Sequence, residues 1–249
     1  MTKAYVAVFM SDGDNLQENE RLIPLKWRDP ARGSVPISWT VQPALVDVAP
    51  VIFNYYRSTA TPDDVLVSGP SGLGYTYPQL WPQSPSDSFA AYTTRSASYL
   101  RRAGLNVITV WDNGVFLGGV EPQANDYATN MPFLLGLTEQ EGSANAPTVI
   151  GSTLPILPFA VTYGGTEAEL ESGITAQIQG ENWTSSSGHA LFIAVQGDMN
   201  DSTMTPTAFY DVQQYFAPGS ATANPDIVFV RGDQLFQLAR ESLNLTTTP

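Results

Sequence analysis

The chain has 249 residues, 43% of them hydrophobic, which is enough apolar material for one large core. Its 24 acidic residues outweigh 11 basic ones and give a formal charge of -13, so a phosphate backbone would be repelled and we expect no nucleic-acid partner. The sequence has no cysteine and one histidine, which excludes disulfides, thiolate chemistry and metal sites built on two or more histidines.

The first residues lead directly into an apolar run. TKAYVAVFM, residues 2–10, lacks the charged, apolar and small-residue order of a signal peptide. Apolar runs along the chain are all too short to cross a bilayer, so we expect no membrane span.

Short apolar runs bounded by Gly, Pro, Asn or Asp recur along the chain. Their continuous rather than alternating apolarity is typical of strands buried on both faces, as in a parallel sheet. In chain order the predicted strands are residues 4–10, 35–41, 64–68, 106–111, 147–152, 157–163, 190–195 and 226–230.

Helical patterns lie between several of these runs. Residues 88–103 have apolar side chains at helical spacing and end at Gly104, a typical C-cap residue. A capping box formed by Thr166 and Glu169, and the pair Thr205-Pro206, predict two further helix starts. The last helix is predicted over residues 233–243.

Eight buried strands with interleaved helices predict an α/β fold, a (β/α)8 TIM-barrel-like domain formed by residues 1–249 as a single unit. Two segments depart from the ideal pattern. Residues 147–163 hold two predicted strands too close together for a crossover helix, and residues 112–146 are irregular. We therefore expect an irregular or seven-stranded barrel, with a doubly wound parallel sheet as the alternative.

Carboxylates follow several predicted strands. In a parallel barrel the active site lies at the carboxyl ends of the strands, so these residues are the candidates for catalysis. Hydrolysis of a glycosidic bond needs two carboxyl groups, one protonated and one ionised. The candidate catalytic residues are Asp12, Asp14, Asp112 and Asp198, and Asn15 and Asp233 are candidate substrate ligands.

An aromatic, glycine-rich segment follows the predicted strand 64–68. Its Gly72 and Gly74 permit a tight backbone, while Tyr75 and Tyr77 offer ring faces and hydroxyls suited to a pyranose ring. Trp39 and Trp111, at the ends of two other strands, are further candidates for a sugar platform, although each would also suit the core.

Other catalytic patterns are not met. Ser71 in GPSGL lacks the second glycine of a nucleophile elbow, and DGDN lacks the later glycine and glutamate of an EF-hand loop. His189 precedes a predicted strand, which is the wrong end of a barrel for catalysis. We expect no cofactor and assign no metal ligands.

GLGYTYP, residues 72–78, resembles the motif that names the GxGYxYP family of putative glycoside hydrolases, and all five fixed positions match. VFMSDGDNLQ, residues 8–17, resembles the start of that family's barrel-like C-terminal domain. The resemblance implies a carbohydrate substrate and a bacterial protein in an extracellular or periplasmic location. It also implies an additional N-terminal domain, which we expect to be missing from residues 1–249. It assigns no catalytic residues.

The resemblance and the rim carboxylates together predict a glycosidase. Two other functions remain open. One is a non-catalytic carbohydrate-binding domain, and the other is a metal-dependent carbohydrate esterase or deacetylase that uses the oxygens of DGDN.

Overall fold

In the computed structural model, the described residues are 2–11, 13, 15–81, 87–113, 122–141 and 147–245. Among them, no helix is long and apolar enough to cross a membrane.

Nine strands are present in these residues. They are β1 Ala4–Ser11, β2 Ile37–Val41, β3 Asp64–Ser68, β4 Val107–Asn113, β5 Gly136–Glu141, β6 Thr148–Ile150, β7 Leu154–Gly164, β8 Leu191–Asp198 and β9 Ile227–Phe229. Seven of them pair in parallel in the order β1-β2-β3-β4-β5-β7-β8, and β8 pairs with β1 again, so the sheet closes into a barrel.

Within the described ranges, seven α-helices connect strands on the outside of the barrel, and an eighth follows the last strand. They are α1 Ile23–Lys26, α2 Leu45–Val48, α3 Pro50–Thr59, α4 Asp87–Ala103, α5 Pro122–Asn130, α6 Glu167–Gly180, α7 Pro206–Phe216 and α8 Gly232–Ser242. The two predicted helix starts are confirmed, because the Thr166 hydroxyl accepts the N–H of Glu169 at 3.2 Å and the Thr205 hydroxyl accepts the N–H of Ala208 at 3.5 Å. The predicted capping box is only half formed, since the Glu169 carboxylate accepts the N–H of Gly165 at 2.8 Å instead of that of Thr166.

The TIM-barrel-like α/β fold is confirmed, with seven strands, and the doubly wound alternative is wrong because the sheet closes. Three strands differ from expectation. The sequence pattern missed β5. Residues 147–152 were predicted as a strand of the parallel sheet, but Thr148–Ile150 (β6) instead form a short antiparallel hairpin with β7. Strand β9 pairs with Ala4–Val6 of β1, and β2 pairs with Val8–Met10, so these two strands share one edge of β1.

The amino-terminal half of the barrel interior is apolar. Alternate residues of the strands face inward and pack with one side of α8. This interior cluster comprises Ala7, Phe9, Val67, Val107, Leu135, Leu157, Phe159, Ala190, Phe192, Ala194, Leu235, Phe236 and Ala239. The strand residues that alternate with these face the surrounding helices and form the larger outer core.

Helix α8 covers the amino-terminal end of the barrel. Its first N–H, of Gly232, donates to Ser38 Oγ on β2 at 2.8 Å. Near its other end, Arg240 is buried and donates to the carbonyl of Thr153, before β7, at 2.8 Å. The helix therefore spans from β2 to β7 and closes this end of the barrel.

Replacing Gly136 by alanine tests this closure. The added Cβ would lie 2.0 Å from Cδ1 of the fully buried Phe236 ring, so the ring or α8 would have to shift. We expect the free energy of unfolding, measured by urea denaturation, to fall by about 3 kcal/mol, as for severe overpacking. The control is Gly180→Ala, at the end of α6, where a Cβ would meet nothing within 4 Å. It should leave the free energy of unfolding unchanged or slightly higher. Equal stability of both variants would contradict the placement of α8.

Candidate active site

The carboxyl-terminal half of the barrel interior is polar. Toward the carboxyl ends of the strands, the inward-facing positions that follow the apolar cluster are occupied by hydroxyl and amide side chains. These buried residues are Ser11, Thr40, Gln42, Thr109, Thr138, Gln140 and Gln196. Such a layer is a polar environment in which an apolar ligand would leave buried hydrogen-bonding groups unpaired.

Ser71 fixes the start of the loop that follows β3, which we call the signature loop (residues 69–81). Its φ is +65° and it is fully buried. Its N–H donates to the carbonyl of Thr109 at 2.7 Å, and its hydroxyl donates to the carbonyl of Thr76 at 2.6 Å. Its carbonyl accepts the hydroxyls of Tyr92, at 3.1 Å, and Tyr127, at 2.6 Å. Ser71 is thus a structural anchor for the loop, and its hydroxyl is engaged.

Helix α4 holds the next residues of the signature loop. Ser96 Oγ accepts the N–H of Leu73 at 3.1 Å, and the Tyr92 hydroxyl donates to the carbonyl of Gly74 at 2.9 Å. Gly72 has φ of +115°, and a Cβ there would lie 3.0 Å from Ser96 Oγ. The first glycine of the motif is therefore required by backbone conformation. A Cβ on Gly74 would meet nothing within 4 Å.

The motif tyrosines form an aromatic cluster over β4. Tyr75 and Tyr77 are two residues apart, and their hydroxyls are 3.4 Å from each other. The ring of Trp111 lies 4.1 Å from that of Tyr75 and 5.3 Å from that of Tyr77, centroid to centroid. The Tyr163 ring completes the cluster, 6.3 Å from Trp111. Tyr75 is 53% exposed, whereas Trp111 is 7% exposed.

Tyr163 has a strained backbone at the end of β7. Its φ of +53° is unusual for a bulky residue, and the β7–β8 register shifts on either side of Val161. Its N–H donates to Gln196 Oε1 at 3.2 Å, and its hydroxyl accepts from Gln140 Nε2 at 2.8 Å. These two amides hold the ring of Tyr163 at the rim of the barrel.

The segment after β1 is pressed against β2. A Cβ on Gly13 would lie 1.6 Å from the carbonyl oxygen of Thr40, so glycine is required there. The N–H of Gly13 donates to Thr40 Oγ1 at 2.7 Å, and Asn19 Nδ2 donates to the Gly13 carbonyl at 3.1 Å. Two candidate carboxylates, Asp12 and Asp14, lie outside the described residues, but their described neighbours are at the carboxyl end of β1.

Asp198 ends β8 and is partly exposed. Its Oδ1 accepts the N–H of Asn200 at 2.8 Å. In the β1–β8 register Asp198 lies opposite Ser11, the last residue of β1. Asp198 and Gly13 are therefore at the carboxyl ends of adjacent parallel strands.

Lys26 supports the loop that follows Asp198. Its side chain is buried, and Nζ donates to the carbonyls of Asp201, at 2.6 Å, and Met204. Burial lowers the pKa of Lys26, while the charges of Asp201, Asp198 and Asp29 partly offset that shift. The ammonium therefore lies within electrostatic reach of Asp198 and is hydrogen-bonded by backbone carbonyls.

Two grooves meet at Tyr75. The first has a volume of about 730 Å³ and is lined by Asn15, Leu16, Gln17, Glu20, Gln42, Ala44, Val48 and Tyr75. The second, of about 400 Å³, is lined by Tyr75, Thr76, Tyr77, Leu80 and Trp81. The first groove brings the segment after β1 together with the signature loop, and Tyr75 stands between the two.

Asp198 and Trp111 are not among the residues that line these two grooves, and three other residues singled out from the sequence lie away from the carboxyl end of the barrel interior. Trp39 faces outward on β2, is fully buried, and donates its indole N–H to Asp64 Oδ1 at 2.8 Å. Asp233 begins α8 at the amino-terminal end of the barrel, where it pairs with Arg231 at 3.0 Å. His189 precedes β8 at the same end, as expected. The side chain of Asp112 lies outside the described part of the structure, although its backbone belongs to β4.

Sequence reasoning overlooked several residues of the polar layer and of the first groove. Gln140 and Thr138 belong to β5, which has no apolar run, and Gln196 was hidden inside an otherwise apolar strand. Glu20 and Gln42 line the first groove. The QGD ending of β8 could have indicated Gln196 as an inward polar residue, because this glutamine breaks the apolar run two positions before Asp198.

The sequence matches one described family. The model described as GxGYxYP putative glycoside hydrolase C-terminal domain matches residues 2–240. No protein of curated function matches the chain.

Two solved structures are similar in fold. One, a putative hydrolase from Bacteroides thetaiotaomicron VPI-5482, has a TM-score of 0.75 and 19% identity over 97% of this chain and 46% of that chain. This chain thus spans less than half the length of that protein. The other, a putative polysaccharide deacetylase from Mycobacterium smegmatis, has a TM-score of 0.56 and 15% identity over 100% of this chain and 94% of that chain. At such identities the likeness concerns the fold alone.

Replacing Tyr92 by phenylalanine tests the support of the signature loop. Burial raises the pKa of Tyr92, so as pH rises the Tyr92 hydroxyl ionises in the unfolded chain before it ionises in the folded protein. The contribution of Tyr92 to stability is therefore complete below about pH 10 and is lost as pH rises through its raised folded pKa. We expect Tyr92→Phe to lower the free energy of unfolding at pH 7 by about 1–2 kcal/mol and to flatten its fall above pH 10.

The control is Tyr55→Phe, because the Tyr55 side chain is 41% exposed on α3. Urea denaturation at several pH values measures both variants. An unchanged pH dependence in Tyr92→Phe would contradict the burial of this hydroxyl beneath the loop.

Proposed function

Because the chain belongs to the family described as GxGYxYP putative glycoside hydrolase C-terminal domain, we propose that it hydrolyses glycosidic bonds in an oligo- or polysaccharide. The observation that carries the proposal is the first groove, which is lined by both Asn15 and Tyr75. It joins the segment that contains Asp12 and Asp14 to the exposed ring of the family motif.

The proposed reaction uses two carboxyl groups at the carboxyl end of the barrel. Asp198 is one, and Asp12, Asp14 or Asp112 is the other. One carboxyl group protonates the leaving oxygen, while the other attacks the anomeric carbon or activates water. The carboxyl groups should be roughly 5 to 10 Å apart, the range that spans retaining and inverting mechanisms.

Tyr75 and Tyr77 are proposed to hold the sugar. Tyr75 combines an exposed ring with a hydroxyl, which suits the apolar face and polar edge of a pyranose. The loop beneath these rings is fixed by Ser71 and by α4, so a bound sugar would meet a preorganised surface. Asn15 and Gln42 provide amides across the first groove.

The function is tested by incubating the protein with plant, bacterial and host glycans between about pH 4 and 8, where carboxylate pairs operate. Mass spectrometry of the products should reveal shortened glycans. Loss of acyl groups without chain cleavage would overturn the proposal in favour of an esterase or deacetylase. Binding without any product would instead indicate a carbohydrate-binding domain.

Asp198→Asn should abolish most of this activity. The amide keeps an Oδ1 acceptor for the Asn200 N–H, so the loop geometry should persist while the ionisable group is lost. We expect kcat to fall about 10²- to 10⁴-fold, the usual contribution of an acid or base. The matched control is Asp211→Asn on the exposed face of α7, which makes the same charge change. Wild-type kcat in Asp198→Asn would exclude this residue from catalysis, and the Asp12→Asn, Asp14→Asn double variant would then be compared.

A further inference from the structure

Trp111 is not an open platform for a sugar ring. The rings of Tyr75, Tyr77 and Tyr163 surround it at 4.1, 5.3 and 6.3 Å, all in edge-on or tilted arrangements. With 7% of its surface exposed, Trp111 has little free face on which a pyranose could stack. The group that it can still offer to a ligand is its indole N–H.

That N–H is buried and has no hydrogen-bond partner among the described residues. Elsewhere the chain pairs its buried indoles. Trp27 donates to Thr59 Oγ1 at 2.9 Å, Trp39 to Asp64 Oδ1 at 2.8 Å and Trp183 to the His189 carbonyl at 2.9 Å. Because a buried donor without an acceptor is costly, an unpaired N–H in a rim cluster indicates an acceptor that comes from a ligand or water.

A second unpaired polar atom lies on the neighbouring strand. Thr109 and Thr138 are paired in the β4–β5 register, and both are fully buried. The Thr109 hydroxyl donates to the Ser68 carbonyl at 3.2 Å, whereas Thr138 Oγ1 has no partner in the part of the chain that the structure describes. The polar interior beside Trp111 is thus equipped for more hydrogen bonds than the protein itself makes.

The described side chains that line the two grooves and the polar layer include no Lys, Arg or His that could bind an anionic ligand. Glu20 of the first groove is acidic, and so is Asp198 at the end of β8. Lys26 is engaged by two backbone carbonyls. An anionic sugar would have to lose its hydration here without gaining a counter-ion, and the net charge of -13 would also repel it.

We propose that Trp111 donates its indole N–H to an oxygen of an uncharged sugar unit, and that the site selects neutral glycans over those carrying carboxylate or sulfate groups. This inference rests on the proposed carbohydrate function and specifies its substrate class. The ring nearest to Trp111 is that of Tyr75, which is more than half exposed, so a sugar bound on Tyr75 would lie next to the indole.

The first arm of the test compares ligands on the wild-type protein. Calorimetric titration with neutral cello-, malto-, manno- and xylo-oligosaccharides is set against oligogalacturonate and a sulfated heparin fragment. We expect the best neutral ligand to bind at least tenfold more tightly than either acidic one. Equal or tighter binding of an acidic ligand would overturn the charge selection while leaving a glycosidase function intact.

The second arm uses Trp111→Phe, which removes the N–H and keeps an aromatic ring. Trp183→Phe is the matched control, because its indole also is buried but lies at the amino-terminal end of β8. We expect about tenfold weaker binding of the best neutral ligand by Trp111→Phe, the loss of roughly one hydrogen bond, and wild-type binding by Trp183→Phe.

A series of monodeoxy derivatives of that ligand separates a direct contact from altered packing. Deleting one particular hydroxyl of the ligand should weaken its binding to the wild-type protein about tenfold. The same deletion should leave binding to Trp111→Phe unchanged, because the loss of the hydroxyl and the loss of the indole N–H remove the same hydrogen bond. Independent, additive losses for every hydroxyl would overturn the role of the N–H. Absence of binding and of cleavage for all neutral and acidic sugars would overturn the proposed function itself.

Discussion

A closed barrel of seven strands has an interior that side chains must fill, and here helix α8 fills one half of it. The shared edge of β1 makes this possible. Because β9 pairs with the first part of β1 and β2 with the last part, the chain can pass beneath the barrel and enter α8 directly. Phe236 then packs against Gly136, and the amino-terminal half becomes a dry core. Apart from Ser38, which accepts the N–H of Gly232, the inward polar side chains of the strands lie in the carboxyl half, where the grooves are.

The family motif divides into residues that build the loop and residues that the loop presents. Gly72 is required by its positive φ and by its closeness to Ser96. Pro78 begins a short 3-10 turn that ends the extended segment. Tyr75, by contrast, is more than half exposed, and a Cβ on the preceding Gly74 would meet nothing within 4 Å. Structural demands thus account for the framework of the motif, whereas no packing contact of the core requires the exposed ring of Tyr75.

Sequence patterns predicted the barrel because most strands are continuously apolar, as burial on both faces requires. They failed at β5, GLTEQE, because its inward residues Thr138 and Gln140 belong to the polar layer and interrupt the apolar run. They also gave Trp39 and Trp111 the same interpretation, since both stand near strand ends. The pairing register of the strands determines which way each side chain faces: Trp39 faces the outer helices, and Trp111 faces the interior. Because the register depends on contacts between strands distant in the sequence, local patterns could not distinguish the two tryptophans.

Asp198 and the segment after β1 are separated from the aromatic cluster around Trp111 by other strands, so their relative position depends on those strands. Tyr163 provides the most direct link: its ring lies beside Trp111, while its N–H is bound by Gln196, two residues before Asp198. A left-handed backbone at a tyrosine persists only where neighbouring contacts enforce it. Here Gln140 and Gln196 supply those contacts from the strands on either side of β7. The strain at Tyr163 is therefore the cost of holding the aromatic cluster and the end of β8 in a fixed relative position.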